Sequence, residues 1–196
     1  MGNREDLLAA ARGCLLEKGY ARTTARDIAG SAGTSLAAIG YHFGSKDALL
    51  TQALQGALEE WGNELASVLG GHGDVAQAWD AVIGSFARTS RLWAVEFELL
   101  AALERRPELR AEFAGANRQA RIGLVELLDG PVPAGAEDAA STKGAFYQAM
   151  LVGLAAMWQV DPDGMPSGAE LLEALRSVAR TGDPAGSADL PAGRPG

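Results

Sequence analysis

The sequence predicts an all-α protein, with a three-helix, helix-turn-helix head at the N-terminus and a helical bundle behind it. Two observations support this prediction. Small and apolar residues between Thr24 and Lys46 have the spacing of two short helices joined by a tight turn. Further along the chain, apolar residues recur three or four positions apart, and stretches containing Gly or Pro separate these segments.

The turn between the two short helices depends on three positions. Ala29 is small enough to let the second helix approach the first. Gly33 can adopt the positive φ that a tight turn requires. Ile39 then closes a small core from the second helix, and Ile28 supplies the apolar contact of the first. This combination predicts a helix-turn-helix unit.

Short polar residues stand where the helices of the head should begin. Thr24 precedes the first short helix, and Asp27 follows three residues later as in a shortened capping box. Ser35 is expected to cap the second short helix and Ser45 the helix after it. An earlier helix is expected over residues 3–18.

Three hydrogen-bond donors stand close together after the second short helix. Lys46 occupies the first position of the helix capped by Ser45, where a cation opposes the helix dipole. An external anion at that helix end would explain the lysine, since helix N-termini also bind phosphate. With Tyr41 and His42 nearby, the group is typical of a clamp on a DNA backbone. The alternative is a solvated Lys46 and a packed His42.

This segment resembles the DNA-binding head of the TetR (tetracycline-repressor-like) family of bacterial transcription regulators. The resemblance covers about a quarter of the chain without a gap and implies an all-helical homodimer with a DNA-binding head and a ligand-receiving body. The matching residues are Thr24, Ile28, Ala29, Ala32, Gly33, Ser35, Ile39, Phe43, Lys46 and Leu49.

The segment also departs from the family. Thr34 stands where the family often has Val, and Gly40 where it often has Tyr. Tyr41 comes one position later, which turns its side chain by roughly 100° on a helix. Gly40 weakens the second helix by up to about 1 kcal/mol relative to Ala. It either ends that helix early or lets the DNA backbone approach closely.

The expected recognition helix has few long polar side chains. Leu36 and Ala37 cannot form bidentate bonds to bases but can contact thymine methyl groups. Specificity would then depend on Ser35, Arg26 and DNA shape. The alternative places Leu36 in the core of the head. The candidate DNA-binding residues are Arg22, Thr24, Arg26, Thr34, Ser35, Leu36, Ala37, Gly40, Tyr41, His42 and Lys46.

Charge is distributed unevenly along the chain. The whole sequence has 17 basic and 25 acidic residues, but the first 50 residues contain six basic and five acidic ones. An acidic protein is a poor general binder of nucleic acid. The distribution leaves room for a local DNA-facing patch on the head, with a modest non-specific affinity.

The predicted body contains aromatic residues and methionines at helical spacing. Such residues usually form a core, but they also line the apolar pockets that receive small molecules. Glu96, Glu98, Arg118 and Arg121 can add polar groups, although the sequence does not show which way they face. The candidate effector-pocket residues are Trp61, Trp93, Phe97, Phe113, Arg118, Tyr147 and Met150.

Residues 144–160 contain no charged residue and form the most apolar stretch of the chain. A helix that is apolar all round must be buried on both sides. One side would meet the core of the body and the other a second copy of the chain. The alternative is a helix buried wholly in one chain. The candidate dimer residues are Phe146, Met150, Leu154, Met157, Trp158, Leu172 and Leu175.

We therefore predict three parts: a DNA-binding head over residues 1–47, an effector-binding and dimerisation domain over 48–180, and a disordered tail over 181–196. The function that fits is a homodimeric repressor, released from a palindromic operator by a small, largely apolar effector. Activator action stays open. The alternative is a helical small-molecule-binding protein whose head does not bind DNA.

Other classes of function have little support in the sequence. Two histidines without a metal-ligand spacing predict no metal site, and no cofactor is expected. No phosphate loop or nucleophile–histidine pattern indicates an enzyme. Cys14 lies on an apolar helix stripe and is expected in the core. Charges directly after the N-terminus argue against a signal peptide, so we expect a cytoplasmic protein with no membrane partner.

Overall fold

The computed structural model describes residues 4–69, 74–104 and 106–181. Within these ranges the chain forms eight helices and no strand, which confirms the all-α prediction. Residue 3, where the first predicted helix begins, residues 70–73 and all but the first residue of the predicted tail lie outside the described residues. The helices are α1 (Arg4–Lys18), α2 (Ala25–Ser31), α3 (Leu36–Phe43), α4 (Lys46–Leu69), α5 (Val75–Leu103), α6 (Pro107–Asp129), α7 (Glu137–Val160) and α8 (Gly168–Thr181).

The head is built from α1, α2, α3 and the first turns of α4. Its core holds Leu7, Leu15, Ile28, Ile39 and Leu49, each no more than 3% exposed. Because their apolar side chains come from four different helices, burying them fixes the helices relative to one another. Cys14 is also buried there, as expected.

The turn between α2 and α3 has the geometry that the sequence predicts. Gly33 has a φ of +62°. Its N–H donates to the carbonyl of Gly30 at 3.3 Å, and the N–H of Thr34 donates to the carbonyl of Ala29 at 2.9 Å. These two bonds form a Schellman motif, which satisfies the last carbonyls of α2. The glycine is therefore required by the turn.

The predicted caps are partly confirmed. Thr24 and Asp27 form a reciprocal capping box at the start of α2. The hydroxyl of Ser45 accepts from the N–H of Ala48 at 3.0 Å and caps α4. Ser35 occupies the cap position of α3, but its side chain makes no capping hydrogen bond. The expectation that its hydroxyl caps α3 is therefore wrong.

The body is organised around α5, which packs against α4, α6, α7 and α8 and also touches α1 of the head. A close crossing joins α6 and α7. A Cβ added to Gly144 would lie 2.2 Å from the carbonyl oxygen of Arg121, so only glycine allows this approach. In the described residues, no helix has both the length and the apolar character needed to cross a membrane.

Candidate nucleic-acid interface

Helix α3 presents one face to the core of the head and the other to solvent. Ile39 and Phe43 are 3% and 8% exposed and hold the inner face. Leu36 is 49% exposed and Tyr41 is 86% exposed, so both lie on the outer face. The outer face is completed by Ser35, Ala37 and Gly40, which are exposed.

This arrangement decides two alternatives from the sequence. Leu36 is not part of the head core, because half of its side chain is open to solvent. Gly40 does not end α3 early, since the helix continues to Phe43. A Cβ at position 40 would meet no atom within 4 Å. The outer face of α3 therefore has no side chain at Gly40, and the exposed Tyr41 is the next residue on this face.

Two arginines of the head extend the polar surface beside α3. Arg26 is exposed in the first turn of α2 and makes no ion pair or hydrogen bond within the described residues. Arg22 is exposed in the loop before α2, and its Nε donates to the carbonyl of Lys18 at 2.7 Å. That bond leaves the other guanidinium nitrogens of Arg22 available to an anion.

Lys46 makes contacts inside the head. Its Nζ donates to the carbonyl of Thr23 at 3.0 Å and lies 3.5 Å from Oδ1 of Asp47. Burial, with a smaller effect of the Arg106 charge, lowers the pKa of this ammonium. Since an ammonium has three protons, one bond to Thr23 still leaves protons for a phosphate. Lys46 nevertheless holds the loop before α2 in place.

The remaining head candidates differ in accessibility. His42 is half-buried, and its ring meets those of Tyr41 and Phe43 edge-on at 4.9 Å and 6.3 Å between centroids. The hydroxyl of Thr24 serves the capping box of α2. Thr34 is half-buried in the turn. Tyr41 is thus the most open member of the predicted clamp.

The body candidates fall into a buried and an exposed group. Trp61 and Trp93 are buried and pack edge-on with centroids 5.3 Å apart. Phe113 and Tyr147 are also buried, whereas Phe97 and Met150 are partly buried. Arg118 is exposed, so it does not face the core that the two tryptophans occupy.

The carboxyl group of Glu96 is the least expected feature of the body. It is 6% exposed, and burial raises its pKa from 4.5 to about 7. Its Oε2 atom has no hydrogen-bond partner in the described structure. The sequence identified Glu96 as a polar group available to a pocket, but it did not show which way the side chain faces. Its position three residues after Trp93 was the available signal, because that spacing puts both on one helix face.

The candidate dimer residues also divide. Phe146 and Met157 are 47% and 53% exposed on α7, while Leu154 is 5% exposed and faces the core of its own chain. Met150, Trp158, Leu172 and Leu175 are partly buried. The exposed apolar surface of α7 continues to Val160, which is 86% exposed.

Comparison with known proteins agrees with this architecture. Residues 7–53 match the model of the bacterial regulatory proteins of the tetR family. A transcriptional regulator from Rhodococcus sp. Rha1 superposes with a TM-score of 0.62 at 25% identity, over 92% of this chain and 97% of that one.

The head sequence therefore matches the TetR family of bacterial regulatory proteins, and the whole chain has the fold of a transcriptional regulator similar to it. A TetR-family transcriptional regulator from Rhodococcus sp. has the same fold, with a TM-score of 0.66 at 19% identity over 91% of this chain and 99% of that one. The multidrug-binding protein EbrR, complexed with proflavin, superposes with a TM-score of 0.60 at 22% identity, over 89% of this chain and 98% of that one. No curated protein sequence matches the chain.

Proposed function

We propose that this chain is a homodimeric transcriptional repressor of the TetR family that leaves a palindromic operator when a small effector binds its body. The observation that carries the proposal is the outer face of α3. It combines exposed Leu36 and Tyr41 with small residues that let a helix enter the major groove of DNA. Such a protein works where the chromosome is, in the cytoplasm.

The DNA contacts would come from two kinds of residue. Leu36 and Ala37 contact thymine methyl groups, while Tyr41, Ser35 and Arg26 reach phosphates or base edges. The hydroxyl of Ser35 supports this role, because it makes no capping bond within α3. Lys46 would contribute a phosphate contact while keeping its bond to Thr23.

The second copy of the chain would pack against α7. The exposed residues of this helix form one stripe, with Phe146, Met157 and Val160 as its large members and small residues between them. At Gly153 a Cβ would meet no atom within 4 Å, so a partner helix can approach there closely. Two heads on a two-fold dimer would read half-sites about 34–36 Å apart, or a multiple of that.

A gel-shift titration against the DNA upstream of the coding sequence tests the proposal. Arg26→Ala should weaken binding and reduce the dependence of the binding constant on salt by about two released ions per dimer, one for each head. Tyr41→Phe should weaken binding less and leave the salt dependence unchanged, because it removes a hydroxyl and no charge.

The matched control is Arg88→Ala, which removes an exposed arginine from α5 in the body. It should bind DNA as the unchanged chain does. If the unchanged chain shows no salt-dependent DNA binding, the repressor function is refuted. The chain would then be a helical small-molecule-binding protein with an inactive head, which the low net charge of the head also favours.

A further inference from the structure

Glu96 is a buried acid without a compensating partner. A carboxylate in this position is strongly disfavoured unless a cation or hydrogen-bond donors reach it. In the described residues, four buried side-chain polar atoms lack a hydrogen-bond partner. Three of them belong to Glu96, Trp93 and Thr51, which lie on two neighbouring helices.

The register of α4 and α5 places these three residues at one level. The two helices run antiparallel because α4 ends at Leu69 and α5 begins at Val75. The indole of Trp61 donates to the hydroxyl of Ser85 at 2.9 Å, which pins the pairing. Ten residues before Trp61 is Thr51, and eleven residues after Ser85 is Glu96. Both steps span about 15 Å along their helices, so the two residues lie level.

Aromatic rings pack next to Trp93. Trp93 meets Trp61 edge-on at 5.3 Å and Phe86 at 5.8 Å between ring centroids. Phe86 in turn lies 6.5 Å from Trp158 of α7. The fourth unpartnered atom belongs to Trp79, which is about 25 Å away along α5 and outside this layer.

A buried carboxylate beside aromatic rings matches one class of ligand. An ammonium group pairs with the carboxylate, and an apolar or aromatic body packs on the indole rings, which also attract cations. The hydroxyl of Thr51 and the indole N–H of Trp93 offer further hydrogen bonds to a polar atom of the ligand.

We propose that the layer formed by Glu96, Trp93 and Thr51 is the effector site, and that its ligand is a small apolar amine bound as a cation to Glu96. The regulatory role of this ligand rests on the proposed function, because a bound amine regulates transcription only if the head binds DNA.

The same part of α5 holds the head. The guanidinium of Arg91 donates to the carbonyls of Leu16 and Glu17, at 3.0 Å and 2.9 Å, at the end of α1. Oε2 of Glu98 accepts from the N–H of Ala21 at 3.1 Å. A ligand that displaces α5 at Glu96 would therefore move the contacts that position α1 and the loop before α2.

The contact at Glu98 is close enough to transmit a small displacement. A Cβ added to Gly19 would lie 2.7 Å from Oε1 of Glu98, so the carboxylate sits directly on the backbone of the head. Gly19 has a φ of +84°, which ends α1 at this point. The effector layer and the head thus share residues 91–98 of α5 as their connection.

Isothermal titration calorimetry at pH 7.5 with two matched pairs of probes tests the site. The pairs are benzylamine with benzyl alcohol, and 4-phenylbutylamine with 4-phenylbutanol, which differ in the cationic group. We expect the better amine to bind at least about tenfold more tightly than its alcohol. Glu96→Gln should remove this preference while leaving the weaker binding of the alcohol.

The control variant is Glu59→Gln, which neutralises an exposed acid on α4 and should keep the preference for the amine. Glu96→Gln keeps the shape of the side chain and removes the buried charge, so circular dichroism should show a folded protein. Equal binding of amine and alcohol, or an unchanged preference in Glu96→Gln, overturns the site.

A gel shift with the same amine separates the two proposals. Reduced DNA binding in the unchanged chain, absent in Glu96→Gln, supports the effector role. DNA binding without any Glu96-dependent amine binding refutes the site and leaves the repressor function intact. Glu96-dependent amine binding without DNA binding refutes the repressor function and leaves the amine site intact. DNA binding that the bound amine does not change overturns its role as effector.

Discussion

At the scale of single residues, the buried carboxyl group of Glu96 makes the stability of the protein depend on pH. Its carboxyl group is 6% exposed and has a pKa of about 7 in the folded chain, against 4.5 for an ordinary glutamate. Because the folded state holds this proton more tightly than the unfolded state, the free energy of unfolding decreases as the pH rises through the interval between the two values. Below pH 4.5 both states are protonated and the burial of charge costs nothing.

Without a ligand, we expect Glu96→Gln to keep its stability between pH 5 and pH 8, while the unchanged chain loses stability over the same range. The rise in the pKa of Glu96 corresponds to about 3 kcal/mol of unfolding free energy. The unchanged chain loses this free energy as the pH rises, and the amide variant keeps it. Urea unfolding at the two pH values, with Glu59→Gln as the exposed control, measures the difference. If Glu96→Gln and the unchanged chain lose the same stability between pH 5 and pH 8, Glu96 does not ionise in the folded state within that range.

The predicted clamp shows what residue chemistry can and cannot specify. Tyr41 is exposed beside the outer face of α3, as a DNA contact requires. Lys46 is an equally good phosphate ligand by its chemistry, but its Nζ is bonded to Thr23, 23 positions earlier in the chain. The sequence shows that a donor is present, whereas the packing of the loop against α4 determines which partner it meets.

At the scale of helices, the turn between α2 and α3 depends on its backbone conformation. Thr24 and Asp27 begin α2, and Gly33 ends it with a left-handed residue. These features were predictable because capping and turn chemistry depend on residues close together in the chain. The missing cap at Ser35 was not, since the residue has the right type and position but its side chain makes no capping hydrogen bond.

We expect Gly33→Ala to destabilise the protein by about 1 to 2 kcal/mol, because an L-residue with a Cβ is strained at positive φ. The matched control is Gly30→Ala, inside α2, where a Cβ meets no atom within 4 Å. That substitution should stabilise the helix by about 0.5–1 kcal/mol. Chemical denaturation of the two variants gives the comparison, and an equal effect of both would contradict the role given to the turn.

Helix α7 shows the same division between local pattern and packing. Its apolar composition indicated burial on two sides, and the structure gives it one side against the body and one exposed stripe. The composition could not assign Leu154 to the inner side and Met157 to the outer one. That assignment depends on how α7 is rotated against α6, which the close approach at Gly144 determines.

At the scale of the whole molecule, the exposed stripe of α7 is expected to join two chains. Phe146→Glu combined with Met157→Glu should give a monomer at about micromolar concentration, because each carboxylate would have to be desolvated in the interface. Both positions are about half exposed in the single chain, so the fold should be retained.

Light scattering coupled to size-exclusion chromatography measures the mass. Val68→Glu is the control, since Val68 is 76% exposed near the end of α4, on a different helix from the stripe. A dimer that survives the double substitution would place the interface elsewhere, and the control should remain a dimer in either case. The monomer should also lose most of its affinity for a two-half-site operator, because both heads are needed to occupy it.

The connection between head and body is a property of the whole chain that local patterns did not reveal. Arg91 and Glu98 belong to α5 and contact residues more than seventy positions earlier. Asp47 at the start of α4 forms an ion pair with Arg106, before α6. From the sequence, each of these residues is expected to be an ordinary surface charge. Only the packing of the helices brings each one to its partner.

The sequence by itself determined the all-α class, the helix-turn-helix, its glycine turn and its threonine cap, because these depend on residues within about ten positions of one another. Only the tertiary structure decided that Lys46 bonds to Thr23, that Leu154 faces inward, and that Glu96 is buried without a partner. The physical reason is that burial and pairing of a side chain depend on neighbours from other helices, and these are distant in the chain.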